Sequence, residues 1–401
     1  MLALKLAYRN LKGAGLRTWL NVVVLSLAYV LIIWHQGIFT GMLKHGSRAV
    51  IEDEIAGGQY WHKNYDPFDP LSYDESHGAI PAELAGLIED KRATPILIRQ
   101  AAIYPEGRIQ TVLLKGIEPG QTILGIPSAG LEKEEDVLPV LIGRRMAKST
   151  SLNIGDYLTI RWRDVQGTFD AVEGKIVEIM NTKVPTMDKG QLWVPLKELQ
   201  KMTGMKDEAT IIVVGENVQG QKDVSPHQSF WCGDVSDWKF KDQKFLLTDI
   251  NQMVRSKRVS AGILYTILLF LAMLAIFDTQ VLSIFKRRKE IGTLIALGMT
   301  RRQVISLFTL EGAMHGILAI GVAAIYGIPW IIFYSKTGMK VPQATEEYGF
   351  ALAERLFPSY SLGLVLGTVI IVMVTVTIVS FLPTRKISKM KPTEALKGKI
   401  S

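Results

Sequence analysis

The chain has 401 residues, 48% of them hydrophobic, a net charge of +8 and a single cysteine, Cys232. One cysteine excludes an intramolecular disulfide and any Cys-x-x-Cys metal or redox motif, so a domain outside the cytoplasm must be held by its core alone. A positive balance is compatible with nucleic-acid binding, but there is no RNP-like aromatic pattern, zinc-finger spacing or basic heptad helix, and the Lys and Arg residues instead flank apolar stretches.

Residues 1–18, within "LALKLAYRNLKGAGLRTWL", set Leu2, Leu4, Leu6, Leu11 and Leu16 among basic residues. This predicts an amphipathic elbow helix on the cytoplasmic side, in the headgroup plane; the plainer alternative is the basic flank of a span. Residues 19–43 predict the first span, with "WLNVVVLSLAYVLIIW" at its centre, because about 20 apolar residues cross a bilayer. A cleaved signal peptide is the competing assignment. The long basic n-region and the lack of a small-x-small site close behind argue for an uncleaved anchor.

Residues 44–258 predict one α+β domain. "ILIRQAAIYPEGRIQTVLLKGI" reads as two strands around a Pro-Glu-Gly turn. "DYLTIRWRD", "AVEGKIVEIM" and "ATIIVVGE" read as further strands. "PLKELQKMTG" reads as a short helix closed by Gly204. "TDINQMVRSKRVS" reads as helix entering the second span, and no proline interrupts the run from Thr248 to Phe285.

The second span is predicted at 259–285, with one charge, Asp278. The third is predicted at 304–334, containing Glu311, His315 and Pro329, and the fourth at 360–383, with no charge. Between the last two lies a short loop at 335–359, mixed in sign, and residues 384–401 form a basic tail. Lys and Arg concentrate before the first span, in the 286–303 loop and in the tail. The positive-inside rule therefore puts these three on the cytoplasmic side and the large domain outside.

Ionisable residues within spans are costly in lipid and usually face protein or water. Asp278 forms a polar notch with Thr279 and Gln280, and Glu311 lies one turn before His315, on the same helix face. They are predicted either as bundle contacts that change during a working cycle or as wetted residues near the interface. No G-x-x-x-x-G-K-[ST], G-x-S-x-G or H-E-x-x-H occurs, and no histidines pair at i, i+4, so no motif supports catalysis.

The loop "FKRRKEIGTLIALGMTRRQV" sets two basic clusters about an apolar centre. A plain positive-inside loop explains Arg287, Lys289, Arg301 and Arg302. It does not explain Ile291, Leu294, Ile295 and Leu297, which the sequence assigns to one helical face, nor Gly292 and Gly298, placed for close packing and a helix stop. A short helix along the membrane, docked in a groove of a cytoplasmic partner, accounts for both.

At this point the chain resembles a permease of the MacB/FtsX class of ABC transporters. "EIGTLIALG", from Glu290 to Gly298, resembles the Glu-Ile-Gly-x-Leu-x-Ala-Leu-Gly signature after the second span. "LAYRNLKGAGLRTWL" resembles the elbow helix, "GRRMAKSTSLNIGDYLTI" from Gly143 an external-domain segment, and "PTRKISKMKPTEALKG" from Pro383 the tail. Glu311 fits a glutamate often found early in the third span; Asp278 departs from a common asparagine. The layout, and "EIAGGQYWHKNYDP" from Glu54, most resemble the lipoprotein-releasing (LolC/LolE-type) permeases.

The resemblance implies a four-helix membrane protein with a large α+β extracytoplasmic domain of the MacB-like periplasmic core type, in a bacterial inner membrane, with both termini cytoplasmic. It implies a non-catalytic chain without cofactor, working with two copies of a separate ABC ATPase that binds ATP and Mg, and with a second permease, same or homologous. Arg287, Lys289, Glu290, Ile291, Gly292, Leu294, Leu297, Gly298, Arg301 and Arg302 would form the ATPase-coupling helix, and stiff spans would carry nucleotide-driven motion outward (mechanotransmission). Lipoprotein extraction toward a periplasmic acceptor is the expected function. Efflux of peptides or antibiotics and signalling to cell-wall enzymes are alternatives within the class, and a membrane scaffold that needs no ATP is one outside it. Ile32, Ile33, Phe39, Leu43, Val259 and Ile263 are the candidate substrate contacts, with ordinary bundle or lipid packing as the alternative role.

Overall fold

A computed structural model describes residues 16–132, 137–216, 233–340 and 355–385. Residues 1–15 of the expected elbow helix, the tail beyond Arg385, Cys232 and the loop around Glu346 lie outside the described residues. The chain divides into a membrane unit, within 1–42, 253–340 and 355–401, and an α+β unit, chiefly 43–252.

The first helix, α1, runs Leu16–Val50 and passes into a π-helical turn at Ile51–Ile55. The α+β unit then builds β1 (Gly58–His62), β2 (Gly78–Ala79), α2 (Ala82–Glu89), β3 (Ala93–Ile103) and β4 (Gln110–Ile117). These are followed by β5 (Leu138–Gly143), α3 (Arg144–Thr150), β6 (Tyr157–Arg163), β7 (Phe169–Met180), α4 (Pro185–Gly190) and β8 (Gln191–Pro195). α5 (Leu196–Thr203), β9 (Glu208–Ala209), β10 (Ile211–Val214), β11 (Trp238–Asp242) and α6 (Gln243–Leu246) complete the unit.

Nine strands order as β11-β1-β10-β3-β4-β8-β5-β7-β6, and β3 also pairs with β6. That last pairing, Ala101 opposite Trp162, closes six strands into a barrel and leaves β10, β1 and β11 as an open wing on β3. Closure removes two sheet edges that would otherwise need protection. β6 is strictly alternating, with Leu158, Ile160 and Trp162 buried between exposed neighbours. This is the period-2 pattern of a strand with one face on a core. β3 is buried on both faces. Leu97 and Ala101 join Val112, Val140, Ile176 and Leu192 in one cluster, while Ile96 and Ile98 pack with Trp193 and Val213 in another. Lys115 is also buried, 3.7 Å from Glu54 and 5.1 Å from the Trp193 ring centroid, and burial pushes its ammonium below the ordinary lysine range.

The membrane unit contains the lower part of α1, then α7 (Thr248–Lys286), α8 (Arg288–Ala296), α9 (Arg301–Thr337), the two-residue strands β12 (Met339–Lys340) and β13 (Arg355–Leu356), and α10 (Leu362–Thr384). α1, α7, α9 and α10 are each long and apolar enough to cross a bilayer. They pack through Val22, Leu25 and Tyr29 on α1, Ala272 and Ile276 on α7, Ala319 and Ala323 on α9, and Val372 and Val376 on α10. Small residues on facing helices let backbones approach where lipid supplies no hydrophobic drive. Pro329 sits inside α9 without ending it. The architecture is the expected one: four long apolar helices with an α+β domain, here containing a barrel.

Candidate functional site

The loop between the second and third spans folds into one short helix held at three points. α7 ends at Lys286, and Arg287 breaks the helix with φ −100° and ψ 20° before α8 begins. At the far end Gly298 takes φ +97°, a conformation that L side chains rarely adopt. Its N–H donates to the Ile295 carbonyl at 3.1 Å, and the Met299 N–H donates to the Leu294 carbonyl at 3.1 Å. The two bonds close the helix in a Schellman arrangement. Thr300 then starts α9 through a capping box with Gln303.

Ile291 and Gly292 are the buried positions of α8. Ile291 packs with Ile284 of α7 and Val304 and Phe308 of α9; Leu294, Ile295, Met299 and Ile305 border the cluster. Leu297 does not join them. It lies one residue past the end of α8 and is 78% exposed, so the expected single apolar face splits. Its inner part anchors α8 to the spans, and Leu297 is left on the surface. Lys289, Glu290, Arg301 and Arg302 are exposed as well.

Arg287 ties these pieces together. Its Nε donates to Glu290 Oε2 at 2.7 Å, and its Nη1 to Glu311 Oε2 and Oε1 at 2.9 and 3.2 Å. The guanidinium also lies 4.9 Å from the Phe308 ring centroid. Glu311 is buried, so the charge inside the third span is neutralised from the loop. His315 Nδ1 donates to the Glu311 backbone carbonyl at 3.0 Å.

Residues 262–392, which begin in the second span and include this loop, match the family model described as FtsX-like permease C-terminal. That stretch, about a third of the chain, is what is similar to the family. Over 165 residues it is 24% identical to the macrolide export ATP-binding/permease protein MacB of Wolinella succinogenes, covering 41% of this chain and 23% of that protein. Over 139 residues it is 26% identical to the pyoverdine export ATP-binding/permease protein PvdT of Pseudomonas fluorescens, covering 34% of this chain and 18% of that protein. The matches thus span less than a quarter of these relatives' lengths. The extracellular domain of the noncanonic ABC-type transporter YknZ from Gram-positive bacteria aligns over 46% of this chain and 99% of its own, at 11% identity and a TM-score of 0.29. That likeness is too low to bear on function.

Elsewhere in the chain the expected sites fare unevenly. Asp278 lies on the outer surface of α7, whereas Gln280 is buried. The expected notch is therefore divided, because residues two apart on a helix point about 200° apart. Gln280 faces Gly312, where an added Cβ would lie 2.9 Å from Gln280 Nε2 and 2.2 Å from Ser380 Oγ. Of the substrate candidates, Ile32 and Ile33 are buried, Ile32 in the bundle core, which removes both from any surface a ligand could reach without helix separation. Phe39 and Leu43 are half-buried, Phe39 edge-on to His35. Val259 and Ile263 are 67% and 64% exposed. In this chain they are the open part of that set.

Proposed function

We propose that this chain is the membrane subunit of an ATP-driven mechanotransmission transporter of the MacB/FtsX class. α8 would rest on a separate ABC ATPase that binds ATP and Mg, in an assembly of two ATPases and two permeases, the second the same or homologous. The observation that carries this is α8 itself. It is a discrete helix, capped at its end and anchored inward by Ile291, with Leu297 exposed just past its last turn. A loop that only obeyed the positive-inside rule would need neither the anchor nor the exposed leucine. The positive-inside distribution of Lys and Arg supports a cytoplasmic α8, an extracytoplasmic α+β unit and both termini inside a bacterial inner membrane. Helix runs without a break from Thr248 to Lys286, where the loop begins.

Extraction of lipoproteins toward a periplasmic acceptor is the substrate assignment proposed, supported by the resemblance at Glu54–Pro67 and by the layout. Small-molecule efflux is the second, favoured by the names of the two relatives, macrolide export and pyoverdine export proteins. Both cargoes are amphiphiles that would meet the exposed outer part of α7. Photoreactive side chains at Val259 and Ile263 in a working strain separate them. Adducts with acylated proteins support lipoprotein extraction. Adducts with a labelled macrolide or siderophore, and none with acylated protein, replace it with efflux. Adducts with neither, alongside capture of a cell-wall hydrolase, move the chain to signalling.

A further inference from the structure

The break between α7 and α8 poses a mechanical problem. Two helices joined through one non-helical residue have no inherent angle between them. The apolar contacts under α8 are non-directional and permit it to slide or tilt. We infer that Glu311 is a positioning residue, which through Arg287 fixes the angle of α8 against the second and third spans so that a push on α8 moves both spans together. The inference rests on the proposed function for what does the pushing.

Arg287 is the node at which the three elements meet. Its backbone N–H donates to the Ser283 carbonyl at 3.0 Å, in α7, and its carbonyl accepts from the Ile291 N–H at 3.0 Å, in α8. Its side chain holds Glu290 of α8 at 2.7 Å and Glu311 of α9 at 2.9 Å. The Glu311 side chain is 9% exposed and that of Arg287 23%. This is an expensive way to hold helices together. A well-packed apolar pair of similar volume is commonly as stable as a buried ion pair. What the pair adds is direction, because a guanidinium placed over the Phe308 ring and bonded to both carboxylates admits one arrangement of α8.

Three variants test this: Glu311→Gln, the apolar pair Arg287→Met/Glu311→Met, and Arg287→Lys. The apolar pair keeps volume and removes the buried charges, so it retains the fold while losing direction. Spin labels at Thr293→Cys in α8 and Ile325→Cys in α9, in a Cys232→Ser background, report the angle of α8 in the full chain in nanodiscs, without any ATPase. A narrow distance distribution is expected for the parent. Broadening is expected for Glu311→Gln and the apolar pair, with Arg287→Lys between. Distributions as narrow in all variants as in the parent overturn the inference. With the copurified ATPase, Glu311→Gln and the apolar pair are expected to move about tenfold less substrate per ATP than the parent. Unchanged transport per ATP overturns the positioning role. Failure of the parent chain to bind any ATPase counts against the proposed function and leaves the label distances to decide the role of Glu311.

Discussion

Gly312→Val is expected to prevent accumulation of the folded chain in the membrane. An added Cβ at this position would lie 2.2 Å from Ser380 Oγ and 2.4 Å from Ser380 Cβ. The second of these atoms is fixed to the α10 backbone and cannot rotate away, so α9 and α10 must part. Both helices pack into the same apolar core, through Ala319 on α9 and Val376 on α10, and parting them opens that core. A single extra methyl forced into a well-packed interior costs about 1–3 kcal/mol, which sets the scale for Gly312→Ala; the branched valine costs more. Thermal unfolding of the detergent-purified chain and its abundance in membranes measure the effect. Among the described residues Ser380 Oγ is buried without a hydrogen-bond partner, so Ser380→Gly gives up no bond there and is expected to restore Gly312→Ala toward the parent. A Gly312→Val chain as stable as the parent would show that α9 and α10 do not meet here.

The second large effect is at Ile291, where fold and function are expected to separate. Ile291 is fully buried among Ile284, Val304 and Phe308, yet that cluster is distinct from the one holding the bundle. Truncating a buried isoleucine to alanine costs about 2–5 kcal/mol, and Ile291→Asp adds the penalty of a carboxylate without a built partner. The loss is local to α8. The chain is therefore expected to reach the membrane with its α+β unit resistant to protease. ATP hydrolysis by the assembled complex is expected to fall by about 30-fold or more, the factor that corresponds to ~2 kcal/mol. Ile291→Val, at about 0.5–1.5 kcal/mol, stays near the parent. If Ile291→Asp retained full ATP hydrolysis in the complex, α8 would not be the contact through which the ATPase senses the spans.

Much of this architecture is legible in the chain because it depends on neighbouring residues. The spans show as stretches with few or no charges. The β3–β4 hairpin shows at Pro105-Glu106-Gly107, and the helix at Leu196–Thr203 shows by its closing glycine. Barrel closure does not show, because β3 and β6 pair across some 60 residues and nothing local marks their edges as partners. Helix rotation is hidden for a related reason. Asp278 and Gln280 both suit a polar contact, and only the packing of Ala272 and Ile276 against the other spans decides that Gln280 turns inward. The same holds for Ile32 and Ile33. Their apolar character fits a lipid-facing or an internal position equally, and the bundle takes them in.

The loop forms a short helix that stops at a glycine. Leu297 lies six positions after Ile291, about 240° round a helix, so even an unbroken helix would turn it away from that residue. With the end at Ala296, Leu297 falls outside the anchor. The Arg287–Glu311 pair is the largest omission. Each residue stands out alone, one as part of a basic cluster and the other as a charge in a span. The separation of 24 positions conceals that one neutralises the other. The signal that finds it is physical: a carboxylate inside a span requires a partner, and arginines at the ends of the flanking helices are the first place to look.

The most direct test of the account is to place a photoreactive side chain at Leu297 and irradiate intact cells. Leu297 is exposed and lies outside the cluster that anchors α8, so the substitution leaves the fold intact. The expected adduct is with a cytoplasmic protein that carries a nucleotide-binding Walker motif. Adducts confined to lipid, or to proteins on the outer side of the membrane, would contradict it.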